Sequence, residues 1–211
     1  MFRQVDAGGS ACLFRTWESA RPVVVLGRNT PAADHVVLEA CRADGVPVLS
    51  RFTGGGPVVL GPGCLNYAVA LPLVSRPEWG DVAESFRVIL GLIAEALAVD
   101  GLAIAGGTDL VLGSRKVSGN AQRRGRRALI HHGTLLYDFD PGLVTRYLHE
   151  PARQPRYRGR RRHAEFLTNM PLARRALRLG LERFAEREGI TIASPFSMAD
   201  ERTESNMAHG R

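Results

Sequence analysis

"TDLVLGSRKVSGNAQRR" occupies residues 108–124. It reads as two short extended pieces, 109–112 and 115–122, preceded by another at 102–105 and followed by one at 128–137. Pieces of this length succeed one another through turns, not through regular helical crossovers, which argues for an α+β fold over a doubly wound parallel sheet. Ser118, Gly119 and Asn120 interrupt the second piece, and such small polar residues leave room beside Lys116 for a bound group. Gln122 and the arginines after it suit an exposed edge. Lys116 is the only lysine in the chain; the other 27 basic side chains are all arginine. On a solvated face the two residues exchange at little cost, but not where a compact amine must act as a point donor. Lys116 is therefore the first candidate for chemistry.

Upstream, VVVLG (23–27) is β-branched and reads as a buried strand. Residues 33–44 suit a short helix with Val36, Val37, Ala40 and Cys41 on one side. VPVLSRF (46–52) is a strand that runs into TGGGP, and extended segments 57–60 and 64–72 flank the turn signal Gly61-Pro62-Gly63. Residues 81–98 give the clearest helix: Val82, Phe86, Ile89, Leu90, Ile93 and Leu97 recur at helical spacing, with Asp81 as N-cap. Downstream, Asp140-Pro141-Gly142 opens a short helix to about Tyr147, and 150–163 is a Pro/Arg/Gly-rich loop. An amphipathic helix over 171–188 carries Leu172, Ala176, Leu179 and Phe184. One domain is expected over 1–193, followed by a frayed polar tail over 194–211.

The chain has 211 residues, enough for one domain with a real core. No apolar run approaches the ~20 residues that span a bilayer, and no signal peptide is apparent, so no membrane partner and a cytoplasmic address are expected. Cys12, Cys41 and Cys64 lack CxxC spacing, which disfavours structural zinc and a disulfide framework. The net charge of +7 admits a nucleic-acid or an acidic protein partner. Aromatic interleaving is sparse and no nucleic-acid motif is present, so a non-enzymatic basic binding domain is the weaker reading.

Two further clusters accompany Lys116. In Arg51-Phe52-Thr53-Gly54-Gly55-Gly56, successive glycines permit positive φ and close approach of a ligand, and Arg51 can clamp a phosphate or carboxylate. The same residues also suit a plain tight turn. Asp109 can accept a ligand hydrogen bond, hold Mg²⁺ or merely end the turn after Gly106-Gly107. In His131-His132-Gly133-Thr134, adjacent strand residues face opposite sides, so the histidines are one core or edge residue and one exposed partner, not a metal pair. Cys64, after Gly-Pro-Gly in an apolar strand, reads as a small buried thiol.

Taken in order, "VVVLGRN", "RFTGGGPVV", "GPGCLNYAV", "TDLVLGSRKVSGNAQRR" and "ALIHHGTLLYDFD" resemble the lipoate–protein ligase A family, within the biotin/lipoyl ligase superfamily. The resemblance covers about residues 13–190. It implies a mixed, mostly antiparallel sheet flanked by helices, with a catalytic core like those of biotin ligases and class II synthetases. It implies activation of lipoate or octanoate by ATP as an acyl-adenylate, then acyl transfer to a lysine of a lipoyl carrier domain. Carriers of this kind are 2-oxoacid dehydrogenase E2 subunits and the glycine cleavage H protein. By the same resemblance, Lys116 is the catalytic lysine, and Arg51, Gly54, Gly55, Gly56, His132, Gly133 and Thr134 bind substrate. Asp109, Ser118 and Gly119 serve the nucleotide and Mg²⁺, with Asp109 as the Mg²⁺ contact and no tightly bound metal expected.

Four departures accompany the resemblance. Only about twenty residues precede VVVLG, where the family has a further helix, so that helix is absent or the start is truncated. The chain ends before a C-terminal accessory domain, which points to a possible separate accessory subunit. Thr108 stands where asparagine is common, and Pro57 and Leu60 replace the usual alanine and histidine. The nearest rival is an octanoyl or lipoyl transferase of the same fold, which takes its acyl group from a carrier thioester without ATP. Its cysteine-dependent form is disfavoured, because no cysteine lies beyond Cys64.

Overall fold

A computed structural model describes residues 1–75 and 79–193; the tail expected over 194–211 lies outside the described residues. In chain order the first half comprises α1 (Phe2–Asp6), β1 (Leu13–Trp17), β2 (Val23–Leu26), α2 (Ala32–His35) and α3 (Leu38–Ala43). Next come β3 (Val48–Ser50), β4 (Val58–Leu60), β5 (Cys64–Pro72) and α4 (Val82–Leu97). The second half has β6 (Leu102–Ala105), β7 (Asp109–Leu112), β8 (Arg115–Arg124) and β9 (Ala128–Leu136). It ends with α5 (Gly142–Tyr147), α6 (His163–Phe166), α7 (Arg174–Arg187) and β10 (Thr191–Ile192).

The strands form a seven-stranded sheet, ordered β10-β1-β5-β9-β8-β7-β6, and a three-stranded sheet, β3-β2-β4. Every pairing in the large sheet is antiparallel except β1 with β10, and in the small sheet only β2 with β3 is parallel. This is the mixed, mostly antiparallel α+β architecture expected. Gly61-Pro62-Gly63 does more than turn a hairpin: β4 and β5, on either side of it, belong to different sheets. Every residue of β5 is buried. β1 and α1 were not anticipated, although the aromatic run LFRTW has strand composition. Asp6 of α1 accepts from the backbone N–H groups of Arg127 and Ala128, which fastens the N-terminal segment to the start of β9.

One core lies between the large sheet and α4 and α7. Asp81 caps α4 by accepting from Glu84 N at 2.8 Å, and Phe86, Ile89, Leu90, Ile93 and Leu97 are buried. Val82 is the exception, 52% exposed in the first turn. On α7 the expected stripe is right at Phe184, which is buried, and at Leu172, which packs partly buried against the core just before the helix, but not between them. Ala176 and Leu179 face solvent, and the buried residues are Leu177, Gly180, Leu181, Phe184 and Ala185. Gly180 sets that rotation, since a Cβ there would come within 2.9 Å of Leu97 Cδ2 and 3.2 Å of Ala96 O on α4.

A second core lies under the small sheet, where Val24, Leu26 and Val59 meet Cys41, Tyr147 and Leu148. The helix expected over 33–44 is broken here. Val36 is extended and bridges Leu148, while Val37 N donates to Tyr147 O at 2.9 Å. Two β-branched residues in succession favour that extended pairing over a continuous helix. The strand expected over 46–52 is likewise shortened to Val48–Ser50.

Candidate active site

The site lies where the small sheet faces β8 and β9 of the large one. Arg51 N donates to Leu26 O, and Arg28 N to Thr53 O, so the loop 51–56 is laced to the end of β2. Gly27 makes this possible: a Cβ there would meet Gly55 O at 1.9 Å. Of the three glycines, Gly55 alone uses the positive φ that the run permits, at +94°. The Arg51 guanidinium is committed to the loop and to β2. Nη2 donates to Gly54 O and Gly56 O, both at 2.8 Å, Nη1 to Val25 O and Nε to Thr53 Oγ1. Four of its five N–H groups are thereby taken by protein oxygens.

Lys116 owes its position to an irregularity in β8. The strand is continuous from Arg115 to Arg124, so Ser118, Gly119 and Asn120 do not interrupt it. Instead the register slips: Val111 faces Lys116, whereas Leu110 faces Ser118, leaving Val117 as the extra residue of a β-bulge. Directly paired residues share a face, so the bulge brings Lys116 and Gly119 to the side occupied by Asp109. Lys116 Nζ lies 2.9 Å from Asp109 Oδ1, and the Asp109 side chain is 8% exposed. A Cβ on Gly119 would come within 2.8 Å of Lys116 Nζ. The other oxygen of Asp109 accepts from Tyr157 Oη at 2.5 Å.

The two histidines divide as alternation requires. His131 is fully buried and bonded to Gln122 and Tyr67. His132 faces the loop, with Nε2 2.7 Å from Thr53 Oγ1. Burial, then the positive charge of Arg51, holds the His132 imidazole down to about 4, so it is neutral at pH 7. Asn120 donates to Thr108 O at 2.8 Å and accepts from Tyr67 Oη. Gly133 faces it across the ladder, and a Cβ there would collide with Asn120 Oδ1 at 1.7 Å.

Two cavities flank Lys116. The larger, about 460 Å³, is lined by the loop, by apolar side chains such as Val25, Val58 and Ile130, and by His132. The smaller, about 260 Å³, is lined by His35, His149, His163, Arg153 and Arg158. Gly56, Asp109, Lys116, Gly119 and Thr134 line both. Arg51, Gly55 and Gly133 line only the larger cavity, Ser118 only the smaller, and Gly54 neither.

A family model for the lipoyl protein ligase A/B catalytic domain matches residues 1–178. The chain belongs to this family. Among curated relatives, the "Putative lipoate-protein ligase A" of Aeropyrum pernix is 32% identical over 134 residues, which are 63% of this chain and 48% of that protein. The chain spans half or less of the length of the first curated relatives it matches. Among solved structures, a bi-partite lipoate protein ligase from Thermoplasma acidophilum, studied with its E2 lipoyl domain, aligns at a TM-score of 0.77. It is 20% identical and covers 98% of this chain and 84% of its own. A lipoate-protein ligase A bound with ATP aligns at 0.76, again 20% identical, covering 98% of this chain and 84% of its own. At that identity the structures establish the lipoate-ligase fold.

Within this lipoyl ligase domain the residues that sequence reasoning missed are supporting ones. Gly27 lies within VVVLGRN but carries no chemistry of its own, and Tyr157 and Arg158 come from the loop 150–163, whose composition reads only as exposed. That loop contains a 3₁₀ turn, Arg156–Arg158, with Arg158 buried beside Glu150. The end of β8 is also less exposed than expected: Arg124 Nη2 donates to Trp79 O, Asp81 O and Ser85 Oγ at the start of α4.

Proposed function

We propose that this domain activates lipoate or octanoate with ATP and transfers the acyl group to a lysine of a lipoyl carrier domain. The observation that carries the reading is the place of Lys116 Nζ, on the wall common to both cavities and beside Asp109. In the first step a carboxylate oxygen of the fatty acid attacks the α-phosphorus of ATP and pyrophosphate leaves. Both reactants are anionic, and an ammonium between them offsets their repulsion and stabilises charge that develops in the transition state. The apolar walls of the larger cavity suit the acyl chain, and the arginines and histidines of the smaller one suit phosphates. In the second step the carrier amine attacks the acyl carbonyl, AMP leaves and the amine sheds a proton.

Among the described residues no group of three or more His, Cys, Asp or Glu could hold a metal. One carboxylate together with substrate phosphates is a donor set that Mg²⁺ accepts, so Asp109 would hold the ion when the nucleotide brings it. The ion would then neutralise charge on the phosphates. His132, neutral and bonded to Thr53, holds the loop against β9 on the wall of the larger cavity. The carriers proposed are E2 subunits of 2-oxoacid dehydrogenases or the glycine cleavage H protein, and a net charge of +7 suits an acidic carrier. A separate accessory subunit is a further partner proposed, in keeping with the bi-partite lipoate protein ligase that shares this fold. The compartment proposed is the cytoplasm; no helix among the described residues is long and apolar enough to cross a membrane.

A covalent cysteine route has no support in the geometry. Cys64 is fully buried, and burial followed by Glu18 pushes its thiol up to about 12. Neither cavity is lined by Cys12, Cys41 or Cys64. The deciding experiment incubates the protein, with and without a candidate accessory subunit, with ATP, Mg²⁺, lipoate and an apo-lipoyl domain. A lipoyl mass increment on the domain that requires ATP is expected. Modification from an octanoyl-carrier thioester without ATP would replace ligation with transfer.

A further inference from the structure

Both oxygens of Asp109 are engaged, and the second partner comes from far along the chain. Oδ1 meets Lys116 Nζ at 2.9 Å, and Oδ2 accepts the phenol hydrogen of Tyr157 at 2.5 Å. Tyr157 sits in the 3₁₀ turn between α5 and α6, and this turn is strapped to the β7–β8 hairpin. Arg161 Nη1 and Nη2 bind Ser114 Oγ and Ser114 O at 3.1 and 2.8 Å. The tyrosine ring lies 5.3 Å from that of Phe166 and presses on Gly106, where a Cβ would come 3.0 Å from Cε1. The ring is therefore placed by packing, before its hydroxyl is considered.

A lysine stem is flexible, and its amine goes where its partner holds it. A carboxylate held through one oxygen can still turn about its own axis, because that torsion is broad. Held through both oxygens from different elements, it cannot. We propose that Tyr157 is a positioning residue of this site: it fixes Asp109 through Oδ2, so that Oδ1 aims the Lys116 ammonium at the junction of the two cavities. Its consequence for rate rests on the ligase reading; the geometry at Lys116 does not. The phenol acts as a donor throughout, since burial and the charge of Asp109 push its pKa above the ordinary tyrosine value. It also keeps the buried carboxylate partnered when Lys116 turns its other N–H groups to a ligand, a situation that would otherwise leave a buried charge exposed to a desolvation penalty.

The chain's single lysine makes the test direct, because protein labelled with ¹⁵N at lysine Nζ and ¹³C at Cε gives side-chain signals from Lys116 alone. Tyr157→Phe keeps the ring and removes one oxygen. It is expected to move the Lys116 signals and to lower kcat for ATP–pyrophosphate exchange about tenfold, as loss of one charge-assisted hydrogen bond does. KM for lipoate should stay within about twofold of wild type. Asp109→Asn should itself lower kcat, and adding Tyr157→Phe to it should cost nothing more, as for residues that act as one unit. Tyr137→Phe, which loses a phenol bond to Glu18 just past the end of β1, should leave the signals and kcat unchanged. Unmoved Lys116 signals, an unaltered kcat in the active enzyme, or additive losses in the double variant would each overturn the proposal. A wild-type protein with no exchange activity would instead remove the ligase reading, while the Lys116 signals would still decide the geometry.

Discussion

Lys116 Nζ spends one N–H on Asp109 and has two more for a ligand, whereas Arg51 commits three of its five to loop oxygens and a fourth to Val25 O of β2. Exchanging the amine for a guanidinium keeps the charge but makes it planar and larger, and biased toward a two-pronged bond with Asp109. Lys116→Arg is therefore expected to fold with an unchanged melting temperature and to lose roughly 10²–10³-fold in kcat. A variant retaining more than about a tenth of wild-type turnover would sink the role given to the amine. The histidines give a second prediction. Burial, and then the neighbouring charge, holds His131 at about 3 and His132 at about 4, against 6.5 in an unfolded chain. Between those values the unfolded chain binds more protons than the native one, so stability is full above pH 6.5 and falls as pH drops toward 4. Imidazole NMR at pH 5.5 should find both rings neutral, and the unfolding midpoint should decline from pH 6.5 downward. A ring that titrates at the ordinary value would remove its share of that slope.

At the scale of elements, the bulge in β8 decides which side chains meet. Residues 116 and 119 would face opposite ways on a regular strand; the extra Val117 brings both to Asp109. Gly119→Ala would press its methyl on Lys116 Nζ and Cε, the far end of a flexible side chain. Such a variant should fold within about 1 kcal/mol of wild type while losing at least about tenfold in turnover, as the displaced amine moves off its line. Gly27→Ala makes the contrast, because its methyl meets a backbone carbonyl that cannot swing aside. It should cost about 1–3 kcal/mol in unfolding free energy, and equal behaviour of the two variants would contradict this reading of the glycines. Here sequence reasoning shows both its reach and its limit. Periodicity sufficed for α4, and turn residues for the β6–β9 run, because those signals are local. The break at Val36 and the buried stripe of α7 depend on partners distant in sequence, Leu148 and Leu97, and the bulge on the pairing register of β7 with β8, which carries no residue signal of its own. The singular lysine, the triple glycine and the histidine pair marked the site itself, since unusual residues stand out without any knowledge of contacts.

Across the whole molecule, a buried polar chain joins the start of α4 to the cavity wall. Arg124 Nη2 donates to Ser85 Oγ, and Ser85 Oγ lies 2.9 Å from Gln122 Oε1. That orientation leaves Gln122 Nε2 to donate to His131 Nδ1 at 3.0 Å, so the ring hydrogen sits on Nε2 and points at Tyr67 Oη, 3.2 Å away. Tyr67 in turn donates to Asn120 Oδ1, and Asn120 Nδ2 donates to Thr108 O and Ser118 Oγ. The chain thus reaches the residue before Asp109 and the residue before Gly119, and it fixes which way the Asn120 amide faces the larger cavity. In a low-dielectric interior each link strengthens the next, and each unmade link is costly. Tyr67→Phe breaks the chain at its centre and leaves His131 Nε2–H and Asn120 Oδ1 without partners. The expected loss is about 2–4 kcal/mol in urea unfolding, with an unchanged m-value, because two buried groups lose their bonds and no surface is newly exposed. Turnover should fall as well, because the Asn120 amide is then held through Nδ2 alone where it lines the cavity. If the variant matches wild type in both stability and turnover, the polar chain does not hold Asn120, and packing around Gly133 alone must set the cavity wall.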